Sequence, residues 1–471
     1  MNINIRLNKN FTTQYNKLQD EFGTDIAKIN GFDDGQLSYT DFIDNFVDQS
    51  TVADASIDGN SNVSHKDIVT LEKEMPKPHE KLLAFNKIYY EIQKKYGFQT
   101  ANEWLRAEWI GWLYMHDANT TSFKHYCFAY DLKDLAENGL YFIEGRNAEP
   151  AKHLSTFVDF VKEYISYACN RSSGAVGLPN LIPYMFYFWK KDVDDGYYVR
   201  NKEYYAKQQF QRFIYAVNQP YLRDGSQSAF TNTSVFDRPY FEALFGGTEF
   251  PDGTFMIDYE EEIIEFQKWY MEVMAKIRHE NMFTFPVSTI SLLRQNGKFV
   301  DEDFATWAIK HNMEWSDSNI FCDSSVNSLS NCCRLKSNIE DLGYFNIPLG
   351  IKTTGQERVR IASEFDGYCS GGSILHYNID APFDSFEKAW KMTNYIADQG
   401  VTYFAFNTKI QACKHNHAFY GTKCPICGEP VDTEFTRIVG FYTPVKTYSK
   451  ERKAEFEMRK WGDINAEVEE I

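Results

Sequence analysis

No run of about 18 apolar residues occurs in the chain, so no membrane-spanning helix is expected. The opening residues, Met1-Asn2-Ile3-Asn4-Ile5-Arg6, lack the continuous apolar core of a secretory signal. Basic residues are outnumbered by acidic ones, 49 to 66, and the formal net charge is −17. That balance opposes unspecific binding to nucleic acid, whose affinity rests on neutralising phosphates. It does not oppose capture of one nucleotide in a local pocket. No internal repeat recurs at a fixed period. Cysteines number nine in 471 residues, an odd count without a signal peptide, which points to a reducing cytoplasm rather than a disulfide framework.

What is present is apolar bulk. The apolar fraction is 43%, with 38 Phe and 30 Tyr, enough for a large aromatic-rich core. The length allows roughly two to four domains, although large barrels exceed that rule. Residues 1–50 are mixed and read as short helices and loops, and 58–64 as a turn-rich connection. Helical spacing of apolar residues marks 78–93, 104–114, 157–167, 204–217, 259–279, 305–311 and 386–399. Residues 126–132 suit a buried strand or a strand-to-helix turn, and 134–138 a helix stopped by Gly139. Strand-like runs cover 230–236, 283–289, 374–379 and 401–407. The stretch 172–179 is a small-residue loop that either cradles phosphate through its N–H groups or simply connects elements. Residues 323–331 form a Ser/Asn-rich loop, and the charged tail from Lys446 is expected at the surface. Strands alternating with helices at this spacing indicate an α/β architecture.

Three features carry chemistry. Cys424-x-x-Cys427-Gly428 has the geometry of a zinc half-site, because the turn lets two thiolates face one ion. Cys413 supplies a third ligand and His417 a fourth. His415 is the alternative, disfavoured because its closer spacing strains the chelate. With every position filled by protein, such an ion is structural. A redox Cys-x-x-Cys is the competing reading. Second, Gly440 stands in the strand-like run Arg437-Ile438-Val439-Gly440-Phe441, where a glycine by itself marks a bulge or a close backbone approach. Third, Cys332 and Cys333 are adjacent; a disulfide between neighbours is strained, so the pair is either reactive or a chance adjacency. Cys127 is a further candidate thiol, with a structural core cysteine as the plainer reading.

Taken together, these features resemble the anaerobic (class III) ribonucleotide reductases, glycyl radical enzymes. The most specific likeness is a zinc ribbon followed by Arg437-Ile438-Val439-Gly440-Phe441-Tyr442-Thr443-Pro444. Others are Asn62-Val63-Ser64, Met115-His116-Asp117, Tyr126-Cys127 with Asp131-Leu132, Thr284-Phe285-Pro286-Val287, Cys333-Arg334 and Gly371-Gly372. The resemblance implies a ten-stranded α/β barrel of two antiparallel halves, with a C-terminal zinc ribbon and a glycyl radical loop. On it the chain divides into an N-terminal extension (1–57), a catalytic barrel (58–410) with a finger loop near 325–336, a zinc ribbon (411–430), and the radical loop and tail (431–471).

The same resemblance implies the roles. Gly440 stores the radical; Cys333 becomes the transient thiyl that takes the ribose 3′ hydrogen; Cys127 delivers hydrogen as the 2′ hydroxyl leaves. Substrates are ribonucleoside triphosphates, with nucleotide effectors near the interface of a homodimer. The reductant is formate or, with Cys332 assisting, a thioredoxin- or glutaredoxin-type protein. A separate radical-SAM activase must form the radical, since the chain has no spare Cys-x3-Cys-x2-Cys cluster. The first fifty or so residues are too few for an ATP-cone domain. Phe441 stands where the family has tyrosine, and Asn346 is the nearest match to an asparagine used with formate. A formate-acetyltransferase type of glycyl radical enzyme lacks the zinc ribbon, and an inactive homologue would be expected to have lost Gly440 or Cys333.

Overall fold

The computed structural model describes residues 2–4, 6–24, 36–38, 72, 75–113, 115, 127–141, 147–197, 200–219, 221–225, 227–281, 283–326, 328–331, 333–336, 345–346, 355–368, 373–437, 441–448 and 450–471. Near the N-terminus β1 (Asn2–Asn4) pairs with β2 (Gln36–Ser38). Helices Lys9–Phe22, Lys77–Tyr96 and Phe98–Trp109 close a small core around Phe11, Tyr15, Phe85, Tyr89, Leu105 and Trp109, separate from the main one.

The main element is one mixed sheet. Its first half holds β3 (Phe128–Ala129), β4 (Val176–Leu178), β5 (Thr231–Phe236), β6 (Val287–Gln295) and β8 (Ser318–Asp323), all parallel, with β7 (Lys298–Phe299) hairpinned onto β6. The second half is β11 (Phe345–Asn346), β12 (Ser373–Asn378) and β13 (Tyr403–Asn407), again parallel. The halves meet antiparallel at β8 and β13. The expected two antiparallel halves are therefore present. Among the described residues the path runs from β11 to β3 without pairing its two ends, so no closed ten-stranded barrel is described.

Helices cover one face, and their starts follow from local chemistry. Asn201, Asp237, Asp301 and Ser385 each accept a backbone N–H three residues on, capping the helices Lys202–Val217, Arg238–Phe245, Glu302–Trp315 and Phe386–Asp398. The long helix Glu260–Asn281 begins with three glutamates and ends with Arg278 and His279, matching the helix dipole.

Three sequence expectations need correction here, and a fourth, the Ser/Asn-rich loop over 323–331, holds a strand over Ser328–Asn331 once it pairs with the residues after it. The 172–179 stretch contains β4, because Val176–Leu178 is hydrogen-bonded on both sides and a parallel strand buried on both faces shows no alternation to betray it. The run expected over 283–289 becomes a strand only at Val287 and continues to Gln295. The charged tail is not simply a surface element: Tyr448, Glu455, Arg459, Ile464 and Val468 are buried, and Gly462 bridges to Ile379 beside β12.

Candidate active site

Alternation along the strands gives the sheet two unlike faces. Val235, Ile290, Ile320, Phe404 and Leu375 share one row and point toward the helices. The intervening positions carry Asn232, Thr289, Asn319, Tyr403, His376 and Asn407, and all six are buried. Burying that many polar groups is costly unless they bond to one another, and most do. Asn232 Nδ2 donates to Thr289 Oγ1 (3.1 Å), Thr289 and Tyr403 share a hydroxyl contact (3.2 Å), and Asn319 Nδ2 donates to Tyr403 (2.7 Å). Asn407 Nδ2 donates to Asn378 Oδ1 (2.7 Å). His376 is the exception, with both ring nitrogens lacking a hydrogen-bond partner. Burial, then the nearby Arg437, Arg358 and Arg459, push its pKa well below the usual imidazole value, so it is neutral.

A hairpin lies between the two halves. β9 (Ser328–Asn331) pairs antiparallel with β10 (Cys333–Lys336), inside the segment expected as a finger loop. β9 lies next to β5 and β6, and β10 next to β12. In a flat sheet β12 would stand three to four strand spacings from those strands, about 14–19 Å. One hairpin touches both only if the sheet curls round it. The backbone of Cys333 thus begins a strand enclosed by the two halves. Cys332 lies outside the described residues.

The C-terminal stretch reaches the same place. β14 (Ile410–Ala412), β15 (Ala418–Phe419), β16 (Thr433–Arg437) and β17 (Tyr442–Pro444) form a small antiparallel sheet. Gly440 lies in the connection between β16 and β17 and outside the described residues. Both flanks are firmly held. Arg437 N–H donates to Asn407 Oδ1 (3.0 Å), and its guanidinium to Asn319 Oδ1 (2.8 Å) and Ser316 O (3.2 Å). Arg459 donates to Arg437 O and Thr436 Oγ1, both at 3.0 Å, while gripping Glu455 through two nitrogens. On the far side Phe441 packs on Phe285 (5.5 Å between ring centroids) and Phe230 (6.2 Å).

Phe230 belongs to the row of the sheet that holds Cys127. Its carbonyl accepts Val176 N–H (2.7 Å), and Ala175 O accepts Phe128 N–H (3.0 Å). Cys127 is partly buried just before β3, and its Sγ accepts Ala175 N–H at 3.2 Å. Cys127 and the residue after Gly440 are therefore brought to one rim of the sheet.

The ribbon gathers five possible ligands. One ligand atom each from Cys413, His415, His417 and Cys427 lies within 4.8 Å of the others. Cys413 Sγ and Cys427 Sγ are 3.6 Å apart, His415 Nδ1 is 3.5 Å from Cys427 Sγ, and His417 Nδ1 is 3.5 Å from Cys424 Sγ. Burial pushes the Cys424 thiol up, but amides of Cys427 and Ile426 and the neighbouring side chains outweigh it and bring it down to about 6. Soft donors at such separations suit a tetrahedral zinc, and both histidines are within reach of it.

Sequence reasoning missed Asn319, Tyr403, Asn407, His376 and Arg459. The available signal for the first four was a polar side chain inside a strand otherwise apolar, which marks a buried polar group but not the face it takes; Arg459 had none.

A family model described as anaerobic ribonucleoside-triphosphate reductase matches the chain over residues 77–347 and 342–461. No curated protein sequence matches it. Among solved structures the chain is similar to one titled anaerobic ribonucleotide reductase, at 28% identity and a TM-score of 0.76 over 98% of both chains. It is similar to the anaerobic ribonucleotide reductase from Thermotoga maritima in complex with dATP and CTP, at 28% identity and a TM-score of 0.74, over 98% of this chain and 100% of that one. The Thermotoga maritima enzyme with glycerol in the active site gives 28% identity and a TM-score of 0.73, over 97% and 100%.

Proposed function

The chain belongs to the anaerobic ribonucleoside-triphosphate reductase family, and on that premise we propose that Gly440 stores its radical and that Cys333 forms the thiyl. The protein is an oxidoreductase that reduces ribonucleotides anaerobically. Among its described residues no helix is long and apolar enough to cross a membrane, and we assign it to the cytoplasm.

The observation that carries the residue roles is convergence. Phe441, next to Gly440, rests on Phe230 and Phe285 at the rim where Cys127 lies, and the hairpin that begins β10 at Cys333 is held between the two halves. In this reading the Cys333 thiyl takes the ribose 3′ hydrogen. The 2′ hydroxyl takes up a proton and leaves as water, and hydrogen delivered from Cys127 takes its place at C2′; the reductant makes good the protons and electrons consumed, formate leaving as carbon dioxide or the dithiol as a disulfide. The 3′ hydrogen returns from Cys333. Two electrons come from outside the chain, from formate or from a thioredoxin- or glutaredoxin-type protein acting through Cys332. A radical needs an enclosed site, and the curled sheet with its buried polar face supplies one. A relative's structure holds dATP and CTP; by analogy this chain takes ribonucleoside triphosphates as substrates and deoxynucleotides as effectors, in a homodimer.

We assign the zinc to Cys413, Cys424, Cys427 and one histidine, His417 or His415. The donor set fits the ion, which when bound supplies cross-linking rather than catalysis. These residues then hold β14 and β16 together and so brace the stretch leading into Gly440. A radical-SAM activase is the required partner.

The test is spectroscopic. The anaerobic chain, mixed with a matching activase and S-adenosylmethionine, is expected to show a glycyl doublet by electron paramagnetic resonance, and the Gly440→Ala protein none. An unchanged doublet in the variant removes the assignment. Product formation with formate, then with a reduced thioredoxin system, identifies the reductant.

A further inference from the structure

Arg223 is none of the cysteine, glycine or metal residues assigned so far, yet it touches the surroundings of two of them. The residue is only 7% exposed. Nη2 donates to Ser172 O at 2.9 Å and to Ser173 O at 2.5 Å. Its Cζ lies 4.5 Å from the centroid of the Phe230 ring. Nη1 is buried and has no hydrogen-bond partner. From Ser173 the chain runs through Gly174 to Ala175, whose N–H is the one on Cys127 Sγ. Phe230 is the ring against which Phe441 packs.

A guanidinium is an expensive choice for filling such a site. An apolar side chain of similar length would occupy the volume without desolvating a charge. Arginine offers one nitrogen with two N–H donors, Nη2 here, for two adjacent carbonyls, together with a flat face for an aromatic ring. The feature therefore suits geometry control rather than bulk. With the carbonyls of residues 172 and 173 pinned, the two peptide planes before Gly174 are set, and they anchor the turn that ends in the N–H on the Cys127 thiol.

We propose that Arg223 is a positioning residue for the reduction: it holds the 172–175 turn so that Ala175 N–H stays on Cys127 Sγ, and it ties that turn through Phe230 to the seat of Phe441. This rests on the reading of Cys127 as the hydrogen-delivering thiol. Radical storage and substrate capture do not depend on the tie, whereas hydrogen delivery does. Loss of the tie thus lowers turnover at an unchanged radical content.

The experiment uses the full chain, activated anaerobically. Arg223→Met is expected to keep the amplitude of the glycyl doublet and its KM within about twofold, and to lose roughly 100-fold in kcat, the scale of an ångström-sized misplacement of a reacting group. Arg223→Lys, which still donates to carbonyls but cannot stack, is expected to recover about tenfold of that loss. In radical-free protein, mass spectrometry of iodoacetamide labelling is expected to show a severalfold change in the rate at Cys127 for Arg223→Met. A wild-type kcat in Arg223→Met overturns the proposal. So does an equal fall of kcat and doublet in both variants, which marks Arg223 as merely structural. Cys127→Ser is run alongside. Normal turnover in that variant removes the reading of Cys127, while an inactive Cys127→Ser with a fully active Arg223→Met removes only the proposal.

Discussion

Replacing Arg459 with methionine is expected to loosen the flanks of Gly440 while leaving most of the fold intact. The Arg459 side chain is fully buried, and Glu455, one helical turn earlier, is 5% exposed at its side chain. Two nitrogens hold the carboxylate at 2.9 and 2.7 Å, and the third reaches Thr436 Oγ1 and Arg437 O. Removing one partner of a buried pair costs about 3–5 kcal/mol, because the other charge stays behind. Arg358 is near enough to Glu455 for their charges to interact, which offsets part of the loss and favours the low end, about 3 kcal/mol. If that opening is local, protection of the β16 and β17 amides against hydrogen exchange falls by roughly 150-fold, at tenfold per 1.4 kcal/mol. Exchange followed by mass spectrometry on peptides covering 433–437 and 441–448 measures it. The double variant Arg459→Met/Glu455→Leu is expected to recover at least half of the protection, since an apolar pair of similar volume replaces a buried ion pair at little cost. A change below about threefold in the single variant, or a double variant no better than the single, would refute the reasoning.

Other expectations follow from the same geometry. His415→Ala and His417→Ala proteins, assayed for zinc by mass spectrometry, are expected to differ: the variant lacking the true ligand loses most of its metal and the other keeps it, while Cys413→Ala loses it outright. Asp317 is buried; desolvation raises its carboxyl, but His311, Arg278 and Ser318 outweigh it and hold it at about 2, below its unfolded value near 3.8. Its contribution is therefore complete above about pH 4 and lost as pH falls through 2. Asp317→Asn is expected to remove about 2 kcal/mol at neutral pH and to flatten the acid limb of denaturant-measured stability in that window. Gly355 opens the helix Gly355–Asp366 against the buried ring of Tyr377, on which a Cβ would fall. Gly355→Ala is expected to cost about 1–3 kcal/mol in chemical unfolding, and a neutral result would show that the ring moves aside freely.

Much of the sheet was legible in the sequence because 401–407 and 230–236 are rich in aromatic and β-branched residues, which suit strands. The Cys424-x-x-Cys427 turn was legible for a different reason: metal ligands in one ribbon are close in sequence. What stayed hidden depends on pairing at a distance. Val176–Leu178 is three residues long and becomes a strand only between β3 and β5. Ser328–Asn331 reads as a polar loop until the strand starting at Cys333 folds back on it. Glu455 and Arg459 look like an ordinary solvated i,i+4 pair, and their inward setting shows only in the bonds of Arg459 to Arg437 O and Thr436 Oγ1, more than twenty residues away. Asn319, Asn407 and His376 are inward-facing because of strand register, which no local pattern fixes in strands buried on both faces.

The junction between the two halves of the sheet has a mechanical consequence. β8 and β13 share two register pairs, Phe321 with Tyr403 and Ile320 with Phe404, whereas β6 and β8 share six. The backbone ladder is thus short where the strand direction reverses, as short as at either end of the sheet, where β11–β12 and β3–β4 also share two pairs. Side chains do much of the joining: Tyr403 reaches back to Thr289 and Asn319, and Arg437 spans Asn319 on β8 and Asn407 on β13. The C-terminal hairpin is a staple driven across this short seam. Arg437 thus flanks the glycine loop and, together with Tyr403, ties the two halves, so the setting of the radical site and the cohesion of the sheet share one residue.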